Sequence, residues 1–131
     1  MPMMADGILQ AATVISKTTQ TLVGAEISCS GYGWLTLHFT YTKGDETGLD
    51  ILMTSRREKN GTDYAEYVWT ASGGIYTAAA AKHRVTATGN YSITFDIRGL
   101  SFVTFTQGGS NNDGTPTGTL AASYTMKSDT D

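Results

Sequence analysis

Two histidines, His38 and His83, are the side chains with the ordinary pKa of a general base at neutral pH. His38 stands mid-strand among threonines in WLTLHFTYT. His83 sits in AKHRV between Lys82 and Arg84, where neighbouring cations disfavour its protonated form. Neither lies beside a G-x-S-x-G nucleophile elbow, so a Ser–His–acid triad is not expected. Paired carboxylates could hydrolyse a glycoside, and Asp45, Glu46 and Asp50 in KGDETGLD, with Glu66 and Asp96, are the candidates. KGDETG reads first as a turn in which Asp caps its own backbone. The acids are expected to be solvated surface groups.

Oxygen donors cluster in SNNDG at 110–114, but the full calcium-loop pattern and its bidentate Glu are missing, so weak calcium binding is the most this loop allows. One cysteine and two distant histidines cannot close a tetrahedral zinc site. No metal or cofactor is expected. Aromatic rings stack on sugar faces, which makes Trp34, Trp69, Tyr64, Tyr67 and Tyr76 candidates for a glycan platform, with Trp34, Trp69 and Tyr67 the leading set. Tyr67 and Trp69 share one face of one strand, which equally suits a core stripe or a subunit interface.

The elements that must carry these residues are strands. About one residue in six is threonine, and Thr, Val, Ile, Tyr and Phe fit a pleated, half-buried surface. In 34–42, Leu35, Leu37, Phe39 and Tyr41 alternate with Thr36, His38, Thr40 and Thr42. In 91–98, Tyr91, Ile93, Phe95 and Ile97 alternate with Ser92, Thr94, Asp96 and Arg98. In 119–127, Leu120, Ala122, Tyr124 and Met126 form the apolar set. Such alternation predicts sheets packed on one face. Residues 49–57 and 63–70 flank KNGT, where Asn60-Gly61 signals a hairpin. A two-residue turn there sets Glu58 opposite Asp63, which favours a longer loop. Residues 101–107 form another strand, and 20–29 and 83–88 weaker ones. IYTAAAA at 75–81 is ambiguous between helix and strand. The Gly-rich stretch GGSNNDGTPTG at 108–118 is read as a connection.

The prediction is an all-β, antiparallel, jelly-roll-like β-sandwich of seven to eight strands. Residues 1–18 lack clean alternation and are read as an N-terminal arm that could add contacts to a neighbour. Residues 19–131 form the single sandwich domain.

The chain has 131 residues, 40% hydrophobic and 16% charged, with a formal net charge of −3. That balance does not suit a nucleic-acid binder. The basic group Arg56, Arg57 and Lys59, interrupted by Glu58, reads as a solvated hairpin end. The lone Cys29 excludes an intrachain disulfide, points to folding in a reducing cytosol, and is expected to be buried. MPMMADGILQAATV lacks the charged start and long apolar run of a secretory signal, and no stretch is apolar enough for a membrane helix.

The segments GYGWLTLHFTYTKGDETGLDILMTS, NYSITFDIRGLSFVTFTQGG and GTPTGTLAASYTMK together resemble the small virion structural proteins of tailed bacteriophages. In those jelly-roll modules a Gly before a regular strand, a D-I-R-G-L corner and a closing G-T-L-x-A-x-Y strand recur. The resemblance spans most of residues 20–127. It implies a capsid decoration (cement) protein, or a neck or tail component, and transfers no single functional residue. It further implies a virion location after assembly in the host cytoplasm. The partners would be the major capsid protein or other virion proteins, and copies of the chain itself, a trimer being favoured. Neither nucleic acid nor membrane is an expected partner. A non-enzymatic contact role directs attention to Ile8, Leu9, Val14 and Ile15 in the arm and to Asn111, Asn112, Asp113 and Thr115 in the loop. The rival readings are a glycan-binding or fibre-head module using Trp34, Trp69 and Tyr67, and an enzyme using carboxylate chemistry.

Overall fold

The computed structural model describes residues 4–17, 20–110 and 115–128. Among these described residues twelve strands follow one another: β1 (Met4–Val14), β2 (Thr21–Leu22), β3 (Ile27–Ser28), β4 (Trp34–Thr42), β5 (Gly48–Arg56), β6 (Tyr64–Ala65), β7 (Tyr67–Ser72), β8 (Ile75–Ala80), β9 (His83–Val85), β10 (Gly89–Asp96), β11 (Phe102–Ser110) and β12 (Thr119–Lys127). One sheet has the order β1-β12-β4-β10. The other has β2-β11-β5-β6, with β3 also on β11 and β9 also on β5. Every pairing is antiparallel. Successive strands switch repeatedly between the two sheets, the interleaving expected of a jelly roll.

The alternating runs form the core as their spacing predicts. Leu35, Leu37, Phe39 and Tyr41 of β4 and Leu120, Ala122 and Met126 of β12 are buried against Leu49, Ile51 and Met53 of β5 and Val103 and Phe105 of β11. Phe95 of β10 crosses the gap and meets Phe105, ring centroids 5.4 Å apart. Each of the buried Leu, Ile, Val, Met and Phe side chains contributes about 1.5–3 kcal/mol by leaving water. Cys29 is fully buried in the same core, as expected. Burial pushes its thiol pKa up to about 11.

Four features depart from the sequence reading. Residues 4–14, read as part of an arm, are the edge strand β1, paired with β12 from Met4↔Lys127 to Val14↔Thr119. Irregularities between Ile8 and Gln10, and between Gln10 and Thr13, break the register. Such bulges destroy the two-residue period that alternation looks for. The ambiguous 75–81 is a strand over Ile75–Ala80. The connection read at 108–118 begins later, because Gly108 and Gly109 continue β11 opposite Asp50 and Leu49. The strand read at 63–70 is broken at Glu66 into β6 and β7, which belong to different sheets.

That break shapes the molecule. β6 pairs with the Thr54–Ser55 end of β5, and β9 with Leu49–Ile51 further along the same strand. Between them the chain leaves the sheet as the hairpin β7–β8. At its root Glu66 N–H donates to Met53 O (3.2 Å), and Ala81 N–H donates to Glu66 O (2.8 Å). β6 and β9 are thus two halves of one sandwich strand, and residues 67–80 are an insertion into it.

Candidate interaction surfaces

The inserted hairpin owes its shape to simple local rules. Ser72 and Ile75 pair across Gly73-Gly74, whose φ values of 59° and 79° are left-handed. Two consecutive left-handed residues give the primed turn that matches strand twist. Pairs run from Tyr67↔Ala80 to Ser72↔Ile75. Alternation puts Tyr67, Trp69, Ala71, Tyr76, Ala78 and Ala80 on one face, and Val68, Thr70, Ser72, Ile75, Thr77 and Ala79 on the other. No residue from 67 to 80 is charged. Yet β7 is exposed along its whole length, and β8 at all but Ala78. Tyr67 is 50% exposed, Trp69 64% and Tyr76 71%, with Val68 and Ile75 more than half exposed behind them. The hairpin packs substantially on neither sheet. A soluble protein rarely presents so dense an apolar group without a use for it.

Beneath the root, His83 packs edge-on against Phe95 with centroids 5.2 Å apart. Its Nε2 stands 3.7 Å from Glu66 Oε1, beyond hydrogen-bond reach, and is buried with no hydrogen-bond partner. Arg84 turns away to grip Asp50 with two bonds of 2.6 and 3.0 Å.

A second surface is the outer face of the first sheet. It holds a shallow groove of about 580 Å³ lined by Ile8, Gln10, His38, Asn90 and Tyr91 among others. Register places Ile8, Ser123, His38 and Ser92 in one row across the four strands. His38 therefore has serines on both sides. Asp6 is one row away and Asp96 two.

Two of the five candidate acids, Glu46 and Asp50, depart from the solvated groups expected. Glu46 is buried, accepting a hydrogen bond from Tyr41 Oη. It also accepts from the backbone N–H groups of Gly44 (2.8 Å), Thr117 (3.3 Å) and Gly118 (2.9 Å). Burial alone would raise its pKa, but these bonds outweigh it and bring it down to about 2. The Tyr41 phenol is pushed up by burial and by the Glu46 carboxylate. Glu46 is thus a clamp between the 43–48 turn and the 115–118 segment. A Cβ on Gly118 would collide with its Oε2. Asp50 is buried too. Asp96 and Glu66 are accessible as expected, Asp96 paired with Arg98 at 2.6 Å. Among the described residues no group of three or more His, Cys, Asp or Glu is arranged to hold a metal.

The contact residues expected from the sequence separate. Ile8 and Val14 are exposed on β1, whereas Leu9 packs against the core and Ile15 is buried in it. Ile15 N–H also donates to Gly118 O (3.0 Å). Thr115 is exposed. Asn111, Asn112 and Asp113, with the calcium reading of that loop, lie outside the described residues. Of the aromatic candidates, Tyr67 and Trp69 stand together on the hairpin. Trp34 belongs to β4 in the other sheet, with the Arg98 guanidinium 5.1 Å from its ring. Tyr76, also among the candidates, completes the ring face, although the helix-favouring AAAA beside it leaves its strand ambiguous in the sequence.

No family model matches the sequence, and no curated protein matches it. Among solved structures, the SPBc2 prophage-derived protein YomS is similar over 98% of this chain and 96% of its own, with a TM-score of 0.60 and 19% identity. A chain in the structure of infectious bursal disease virus, Gx strain, is similar over 97% of this chain and 32% of its own, with a TM-score of 0.54 and 11% identity. The fold is an antiparallel β-sandwich of jelly-roll type. At these identities the likeness extends to fold alone.

Proposed function

We propose that this chain is a non-enzymatic structural protein of a virus particle, and specifically a decoration protein that stabilises a phage head through subunit contacts. The observation that carries the reading is the inserted hairpin, a fourteen-residue uncharged element held out from a complete sandwich. A rigid sandwich with such a protrusion is suited to docking, and docking needs no catalytic group. End-to-end likeness to a prophage-derived protein supports the phage setting, and the second likeness, to a virus chain, agrees with it. The major capsid protein is the proposed partner, and the virion the proposed location.

The test is mass spectrometry of purified particles, followed by heat challenge of heads assembled with and without the chain. Stoichiometric incorporation and heat-resistant heads are the expected result. Absence from particles overturns the reading.

A second reading, a glycan-binding or fibre-head module, draws on one observation: Tyr67, Trp69 and Tyr76 share an exposed face. A shift of Trp69 emission on adding oligosaccharide, with no change in mass, would favour it.

A further inference from the structure

We propose that the ring face of the β7–β8 hairpin docks on the same face of a second copy of this chain, the two hairpins packing around a two-fold axis. The inference deepens the structural reading above by naming the hairpin's partner. Its experiment separates the two.

The first argument is shape. Every cross-strand pair on the ring face joins a large side chain to a small one: Tyr67 to Ala80, Trp69 to Ala78, and Ala71 to Tyr76. The rings therefore form a ridge that changes strand near the tip, and the alanines form a matching hollow beside it. A two-fold axis brings each ridge over the other copy's hollow. Isologous contact of one patch with itself is the commonest arrangement in soluble oligomers.

The second argument is area. The three rings alone expose about 400 Å² per copy, taking roughly 200 Å² for a whole ring side chain. Two copies, with their alanines and hairpin backbone, approach the roughly 1,000 Å² that a specific interface needs. The third is stability. A lone two-stranded hairpin is marginal in water, and three or more strands or a packing partner are required. Its own sandwich supplies no such partner. Charge agrees, since no side chain from 67 to 80 would be buried with an unpaired charge.

The experiment uses the full chain with Trp34→Phe, which leaves Trp69 as the sole tryptophan. Light scattering and tryptophan emission are followed together from micromolar to millimolar protein. The expected result is a rise in mass to dimer or beyond, with a blue shift of Trp69 and its protection from acrylamide. Adding Trp69→Ser with Tyr76→Ser, read by scattering, should weaken association by roughly tenfold or more, as loss of central aromatic anchors does. The thermal midpoint should stay near that of the parent, because both side chains lie outside the core. Mass unchanged by these substitutions overturns the inference. So does a monomer with water-exposed Trp69 at all concentrations. A monomer whose Trp69 shifts only with anionic lipid vesicles or oligosaccharide overturns it in favour of that ligand. Particles that carry the chain while it stays monomeric reject self-docking and leave the virion role standing. Hairpin-mediated dimers of a chain absent from particles do the reverse.

Discussion

Glu46 shows how a single carboxylate can close a fold. Its oxygens collect one phenol and three backbone N–H groups, so it must be ionised to accept them all. Glu46→Gln puts an amide NH₂ against those donors and should cost about 1–3 kcal/mol, the usual penalty for buried donors left unmatched. Urea titrations at neutral pH check this. The pKa falls from 4.5 to about 2 on folding, so the stabilisation is complete above the unfolded value and is lost as pH falls through that window. The gap between wild type and variant should therefore narrow between about pH 5 and pH 2. Two of the arginine–aspartate pairs, Arg84–Asp50 and Arg98–Asp96, should differ from each other. Arg84→Met strands a buried Asp50, whereas Arg98→Met frees an Asp96 already in water. The first should lower the denaturation midpoint clearly more than the second, measured side by side. Neither clamp was legible in KGDETGLD. Spacing showed a turn, but two of the four donors to Glu46 arrive from residues 117 and 118, and the arginine beside Asp50 from residue 84. Only the three-dimensional fold brings them together.

At the scale of elements, legibility followed period. β4 and β12 occupy their alternating runs, 34–42 and 119–127: β4 buries every second residue, and β12 buries Leu120, Ala122 and Met126 while Tyr124 stays half-buried. β1 was illegible because bulges shift its register and most of its length is exposed. Its role changes what truncation should do. Removing residues 1–14 uncovers the whole β12 edge and takes Leu9 from the core boundary. The shortened chain should unfold at markedly lower temperature and aggregate, as open strand edges do. Calorimetry and turbidity check this together. The hairpin should behave in the opposite way. Replacing residues 67–80 with a short glycine linker removes nothing that the core uses. The thermal midpoint should move by only a few degrees, while association and particle binding are lost. Sequence placed Tyr67 and Trp69 on one face correctly. It left core and surface undecided for them, because an apolar stripe reads the same in both places.

At the scale of the molecule, the two sheets share one core, with Phe95 and Phe105 in contact between them, and should unfold as one unit. Cys29 reports this directly. It is fully buried, and its thiol is pushed up to about 11. Thiol reagent should not label the native chain at neutral pH, and labelling should rise in urea along the same curve as loss of far-UV circular dichroism. Labelling that precedes the circular dichroism change would mean that the β3 corner opens on its own.

The β1–β12 ladder also fixes how the molecule answers tension. Met4 is paired with Lys127 at one end of that ladder, and Val14 with Thr119 at the other. A pull between Met4 and Lys127 acts on the first rung alone and peels the strands apart rung by rung, since antiparallel bonds lie across the strands. Force that must break many rungs together meets far more resistance. Attachment through both ends would therefore be mechanically soft. The hairpin, rooted at two points along β5 in the middle of the second sheet, is the firmer handle.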